Sequence, residues 1–107
     1  MTISALFGVR APTFGAARAT VESALGIAFE ERESSHRGGP YFAFEGEALQ
    51  ELFLQENLEV PEYEPAEEDF PDERFLLYVS AIPEDSPFLF VLEAAPELFA
   101  KLRMRTK

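Results

Sequence analysis

The eight residues FLLYVSAI, Phe75–Ile82, contain no charge, no Gly and no Pro. A short, continuous apolar run rich in aromatic and β-branched residues predicts a strand buried on both faces, and so one inside a sheet rather than at its edge. The chain has 107 residues, which fits one domain and leaves no room for a second. That strand must therefore lie at the centre of the only sheet. A chain of this size buries roughly two-thirds of the surface its unfolded form exposes. With 47% hydrophobic residues, eleven Phe and three Tyr, it has the material for a real core.

The remaining elements are set by periodicity and punctuation. TISALFGVR alternates Ile3, Ala5, Phe7 and Val9 on one face, which predicts a strand over 2–10. Thr13 is placed to cap a helix over 14–25, with Phe14, Ala17, Val21 and Leu25 on one stripe and Gly26 closing it in a left-handed conformation. Residues 27–34 and 40–45 read as a β-hairpin around the turn-forming SSHRGGP. ALQELFLQENLEV fits either a helix or a strand, and the meander before it favours a strand over 51–58. Pro87, after PEDS, suits the first turn of a helix that Pro96 stops.

ELFAKLRMR then alternates Leu98, Ala100, Leu102 and Met104 against Phe99, Lys101, Arg103 and Arg105. It reads as a final edge strand over 97–105, with a short helix as the alternative. Phe7, Phe29, Phe42, Phe44, Phe75 and Phe90 fall at expected core positions. The expected fold is α+β: a mainly antiparallel sheet of five or six strands with two helices on one face, in the order β-α-β-β-β-β-α-β.

Charge is distributed unevenly. The net charge is −11, and nine of the twenty acidic residues fall between Glu56 and Glu73, a stretch without Lys or Arg. Pro61, Pro65 and Pro71 exclude a helix or a central strand there, so the stretch is expected to be a loop. Carboxylates interleaved with aromatic rings give it the makeup of a docking surface, with charge to steer a partner and rings to anchor it. The candidate contacts are Glu62, Tyr63, Glu64, Glu67, Glu68, Asp69, Phe70, Asp72 and Glu73. Of these, Glu67, Glu68 and Asp69 read as exposed loop charges whose reversal leaves folding intact. The basic residues Lys101, Arg103, Arg105 and Lys107 are expected to pair with this block or to be solvated. So acidic a chain repels DNA, RNA and anionic lipid, and its natural partner is a basic protein.

Catalytic and cofactor signatures are missing from the sequence. There is no Cys and a single His, His36, beside Ser34 and Ser35 in a tight turn without a nucleophile-elbow pattern. Asp69 and Asp72 lack the spacing of a calcium loop, and GVRAPTFG matches no phosphate-binding loop. The expectation is a non-enzymatic protein without metal or cofactor. With no basic run ahead of an apolar segment near its start, and no apolar stretch of membrane-spanning length, it is expected in the cytoplasm.

The stretches ALGIAFEERESSHRGGPYF, LQEN and FPDERFLLYVSAIPE, with the acidic Pro-rich segment between them, are similar to the small bacterial immunity proteins of polymorphic or contact-dependent toxin systems. The resemblance spans roughly residues 20–85 and carries over no individual functional residue. It implies a cytoplasmic, non-enzymatic inhibitor that binds one toxin domain, such as a nuclease whose basic cleft it covers. Two alternatives stay open: a self-associating homodimer whose acidic loop only solubilises it, and a small enzyme without a recognisable motif.

Overall fold

A computed structural model describes residues 2–34, 39–46, 50–58 and 64–106. Six strands and two helices occur in the expected order: β1 Thr2–Val9, α1 Phe14–Leu25, β2 Glu30–Ser34, β3 Gly39–Glu45, β4 Glu51–Glu56, β5 Phe75–Pro83, α2 Pro87–Ala94 and β6 Phe99–Thr106. The strands form one open sheet ordered β2-β3-β4-β5-β1-β6, every neighbouring pair antiparallel.

This order fixes where the helices go. Successive antiparallel pairings make β1 parallel to β2, and β5 parallel to β6. Each of these pairs is joined by a helical crossover, α1 and α2 respectively. Such crossovers are right-handed. The two start on antiparallel neighbours, β1 and β5, and travel in opposite directions across the sheet. A half-turn about the sheet normal interchanges them, so a common handedness puts both helices on one face. Both do pack there, against Phe7, Val9, Leu52, Leu54, Phe75, Leu77 and Val79.

Helix α1 has the expected ends. The Thr13 hydroxyl accepts from the Ala16 amide at 3.1 Å, and Gly26 takes φ 67° as the closing residue. Its stripe of Ala17, Val21 and Leu25 is buried. One carboxylate fastens the helix to the segment leading into β2: Glu22 accepts from the Phe29 amide at 2.7 Å and pairs with Arg18 at 3.2 Å. Phe14 stacks near Phe42 and Phe75, with ring centroids 4.8 and 5.8 Å apart. Helix α2 begins at Pro87, with the Ser86 hydroxyl accepting from the Phe88 amide.

Strand β5 lies between β4 and β1, and Phe75, Leu76, Leu77, Val79 and Ile82 are all buried. Leu77 faces the helices, while Leu76 faces the other side, beside Gly8 and Gln55. Two irregularities shape the sheet. Ala81, with φ 56°, is an extra residue in β5 between the pairs Ala5–Val79 and Ile3–Ile82. Leu102 is the extra residue in β6 between the pairs Phe7–Lys101 and Leu6–Arg103.

The second bulge corrects the expected alternation of β6. Phe99 and Met104 join the helix-side core, whereas Arg103 and Arg105 sit on the opposite face beside Leu6 and Ser4. A strict period of two would have put all of Phe99, Lys101, Arg103 and Arg105 on one side. Leu98 is 37% exposed. Phe90 is a second correction: it is 76% exposed, because Leu89 and Leu92 are the residues that α2 turns inward.

Leu77 is fully buried. Leu77→Ala is expected to cost about 2–5 kcal/mol in urea unfolding. Leu98→Ala, where the side chain is already partly in water, is expected to cost clearly less.

Candidate functional site: an acidic strap on the open face of the sheet

The face of the sheet away from the helices is not bare. One row across it runs Arg103, Leu6, Tyr78, Phe53 and Ala43, on β6, β1, β5, β4 and β3. The next contains Gly8, Leu76 and Gln55. Leu6, Leu76, Ala43 and Gln55 are buried, although no helix lies on this side. Residues 64–74, which hold the last ten residues of the acidic block, cross this surface as a strap.

Three sets of contacts hold the strap. The first is Asn57, just past the end of β4. Its amide nitrogen donates to the carbonyls of Phe70 and Glu73 at 2.9 and 2.8 Å, and its carbonyl oxygen accepts from the Glu67 amide at 2.9 Å. One side chain thus satisfies three backbone groups of a loop that has no ladder of its own. The second is Glu67, whose carboxylate accepts from the Tyr78 hydroxyl at 2.9 Å and from the Arg103 guanidinium. Tyr78 and Arg103 flank Leu6 in the row, so Glu67 lies across Leu6. The third is Glu73, paired with Arg10 at 2.8 Å, its side chain only 11% exposed. Glu73 lies directly over Gly8, where a Cβ would overlap its carboxylate. A glycine at position 8 is what lets the strap come this close.

The rest of the strap is built from short turns. The Phe70 amide donates to the Glu67 carbonyl at 3.1 Å, and the Glu73 amide to the Phe70 carbonyl at 3.2 Å. Phe70 is half-buried, with the Arg103 guanidinium 5.9 Å from its ring centre. At the far end, Arg74 donates to the Pro12 carbonyl at 3.2 Å and sits 4.9 Å over the Phe75 ring.

The candidate contact residues therefore separate by direction. Glu67, Glu73 and Phe70 are engaged with the sheet or half-buried against it. Glu64, Glu68, Asp69 and Asp72 are exposed. Glu62 and Tyr63 lie outside the described residues, as does His36. Glu67 departs from the expected solvated loop charge: reversing it would put a cation against Arg103. Of the basic residues near the end of the chain, Arg103 pairs with the acidic block. Lys101 instead pairs with Glu93 of α2 at 2.7 Å, and Lys107 lies outside the described residues. Sequence reasoning had no signal for Asn57 as the strap's anchor, because its three partners lie 10 to 16 residues away.

Acidic charge elsewhere is partly balanced locally. On the hairpin, Arg32 bonds Glu30 and Glu45, each at 3.1 Å. These hydrogen bonds, that to Glu30 foremost, push the guanidinium further toward its charged form. Among the described residues no three His, Asp or Glu side chains converge as a metal site requires, and no helix is long and apolar enough to cross a membrane. No protein-family model, curated protein or solved structure matches this chain.

Asn57→Ala is expected to destabilise the protein by about 1–3 kcal/mol, since it leaves backbone groups of the strap unpaired. The Glu67 amide, which Asn57 accepts, is expected to lose protection in hydrogen exchange. Unchanged stability together with unchanged Glu67 protection would mean that the strap is held by other contacts.

Proposed function

We propose that the chain is a non-enzymatic binding protein that neutralises a basic toxin domain, in the manner of an immunity protein, by presenting the outer carboxylates of its acidic strap. The observation that supports this reading is the division of labour within the strap. Glu67, Glu73 and Asn57 fasten it to the sheet, while Glu64, Glu68, Asp69 and Asp72 remain exposed.

A free loop of this charge would lose much conformational freedom on binding. A loop already fastened loses less, so more of its electrostatic attraction is left as affinity. Clustered carboxylates of one sign also accelerate encounter with a cationic surface. The unpaired acidic surface suits a partner that normally binds phosphates, because such a partner carries a cationic cleft. Covering that cleft requires no chemistry from the inhibitor.

The test uses any basic toxin domain found encoded beside this chain's gene. Co-expression is expected to restore growth to cells producing that domain, and the purified pair is expected to associate at a rate that falls steeply with salt. Exposed charges are screened beyond ~8 Å at physiological ionic strength. Reversing Glu64, Glu68 and Asp69 to Lys is expected to slow association and abolish protection, while the melting temperature stays close to that of the parent chain. Unchanged association and full protection in a folded triple variant would show that the strap does not bind the toxin.

A further inference from the structure

Helix α2, PFLFVLEA, is apolar on nearly every side. Leu89 and Leu92 are buried, and Phe88 and Val91 pack against the core. Phe90 points the other way and is 76% exposed, with Ala94 also exposed. A helix that is hydrophobic all round is normally covered all round. Phe90 is the more exposed of the two large hydrophobic side chains left open among the described residues; the other, Leu98, lies in the turn after the helix.

Phe90 also lines a shallow groove of about 280 Å³ with Glu84, Asp85, Ser86, Leu89 and Glu93. The Ser86 hydroxyl is occupied in capping the helix, and Glu93 holds Lys101. Glu84 and Asp85 bond no other side chain among the described residues. The groove thus combines an open aromatic face with two unpaired carboxylates. That combination accommodates an Arg or Lys side chain, its cation over the ring and against the carboxylates, its aliphatic stem along apolar surface.

We infer that Phe90, Glu84 and Asp85 form a second docking surface for a basic protein, with an Arg or Lys side chain of the partner seated on the Phe90 ring. A second copy of this chain fits poorly, because a two-fold contact would bring a second set of Glu84, Asp85 and Glu93 against the first. Anionic lipid and nucleic acid are repelled for the same reason. The inference rests on the partner being basic, as proposed above. Its surface lies on the helix side of the sheet, away from the strap, so the two can fail separately.

The probe is a synthetic peptide alternating Leu and Arg, titrated into the isotope-labelled full chain and followed by backbone amide shifts. Saturable shifts over residues 84–94 are expected with this peptide, and none with a version in which every Arg is Glu. Phe90→Ala is expected to weaken the peptide about tenfold or more, as loss of an aromatic anchor does. Because Phe90 is exposed, its melting temperature is expected to be unchanged. The double variant Glu84→Lys/Asp85→Lys alters only the rim and is expected to abolish the shifts, whereas reversal of Glu64, Glu68 and Asp69 on the strap leaves those over 84–94 in place.

Shifts confined to 64–74, or undiminished affinity in both α2 variants, would overturn the inference. A dimer seen by analytical ultracentrifugation that dissociates on Phe90→Ala would also overturn it, by assigning the surface to a second copy. If the α2 shifts hold but co-expression gives no protection from the toxin, the toxin reading fails and this docking surface stands.

Discussion

A strand that is apolar on both faces has to be covered on both. That requirement, set by Phe75, Leu76, Leu77, Val79 and Ile82, governs the rest of the structure. The two helices are sent to the same side by the handedness of their crossovers, so they can shield Leu77 and Val79 but not Leu76. The other side is closed by a segment with no regular structure. An irregular segment shields apolar surface only if its own backbone groups find partners. Asn57 supplies three of them, and the acidic side chains Glu67 and Glu73 tie the remainder to Tyr78, Arg103 and Arg10. The acidic block is thus part of the fold as well as its most charged surface.

This dual use resolves an electrostatic difficulty. Nine carboxylates within eighteen residues repel one another and disfavour a compact conformation. Two of them are placed beside guanidinium groups from distant strands or their flanks, and the inward side of the strap is thereby neutralised. Of the others, Glu64, Glu68, Asp69 and Asp72 lie outward, in water, where repulsion is screened. The geometry concentrates the excess on one surface instead of spreading it over the chain.

Much of the architecture was legible in the sequence, because it rests on local signals. The stripe of Ala17, Val21 and Leu25, the Thr13 cap and the Gly26 terminus define α1 within a fourteen-residue window. The uniform apolar run of β5 announces a central strand, and the turn residues place the hairpin. What escaped rests on distance or on counting. Glu67 and Glu68 are adjacent and of the same residue type, yet one contacts Tyr78 and Arg103 while the other faces solvent. No local pattern separates them, since the partner cation lies 36 residues away. Phe90 has the marks of a core residue, being aromatic and set in an apolar helix. With apolar residues on nearly every side, periodicity could not say which side would be turned outward. The bulges at Ala81 and Leu102 lack any compositional mark.

The bulge in β6 makes the clasp on the strap depend on how the strand pairs as well as on its residues. Leu102 adds one step to an alternating frame, and everything beyond it changes sides. Were Leu102 paired as an ordinary ladder residue instead of bulged out, Arg103 and Arg105 would keep their identity and their neighbours in sequence, but their side chains would point toward the helices. Met104 would be turned out of the core by the same step. A one-residue slip in pairing would in this way exchange the electrostatic character of the two faces along the second half of β6 while removing no charge from the protein.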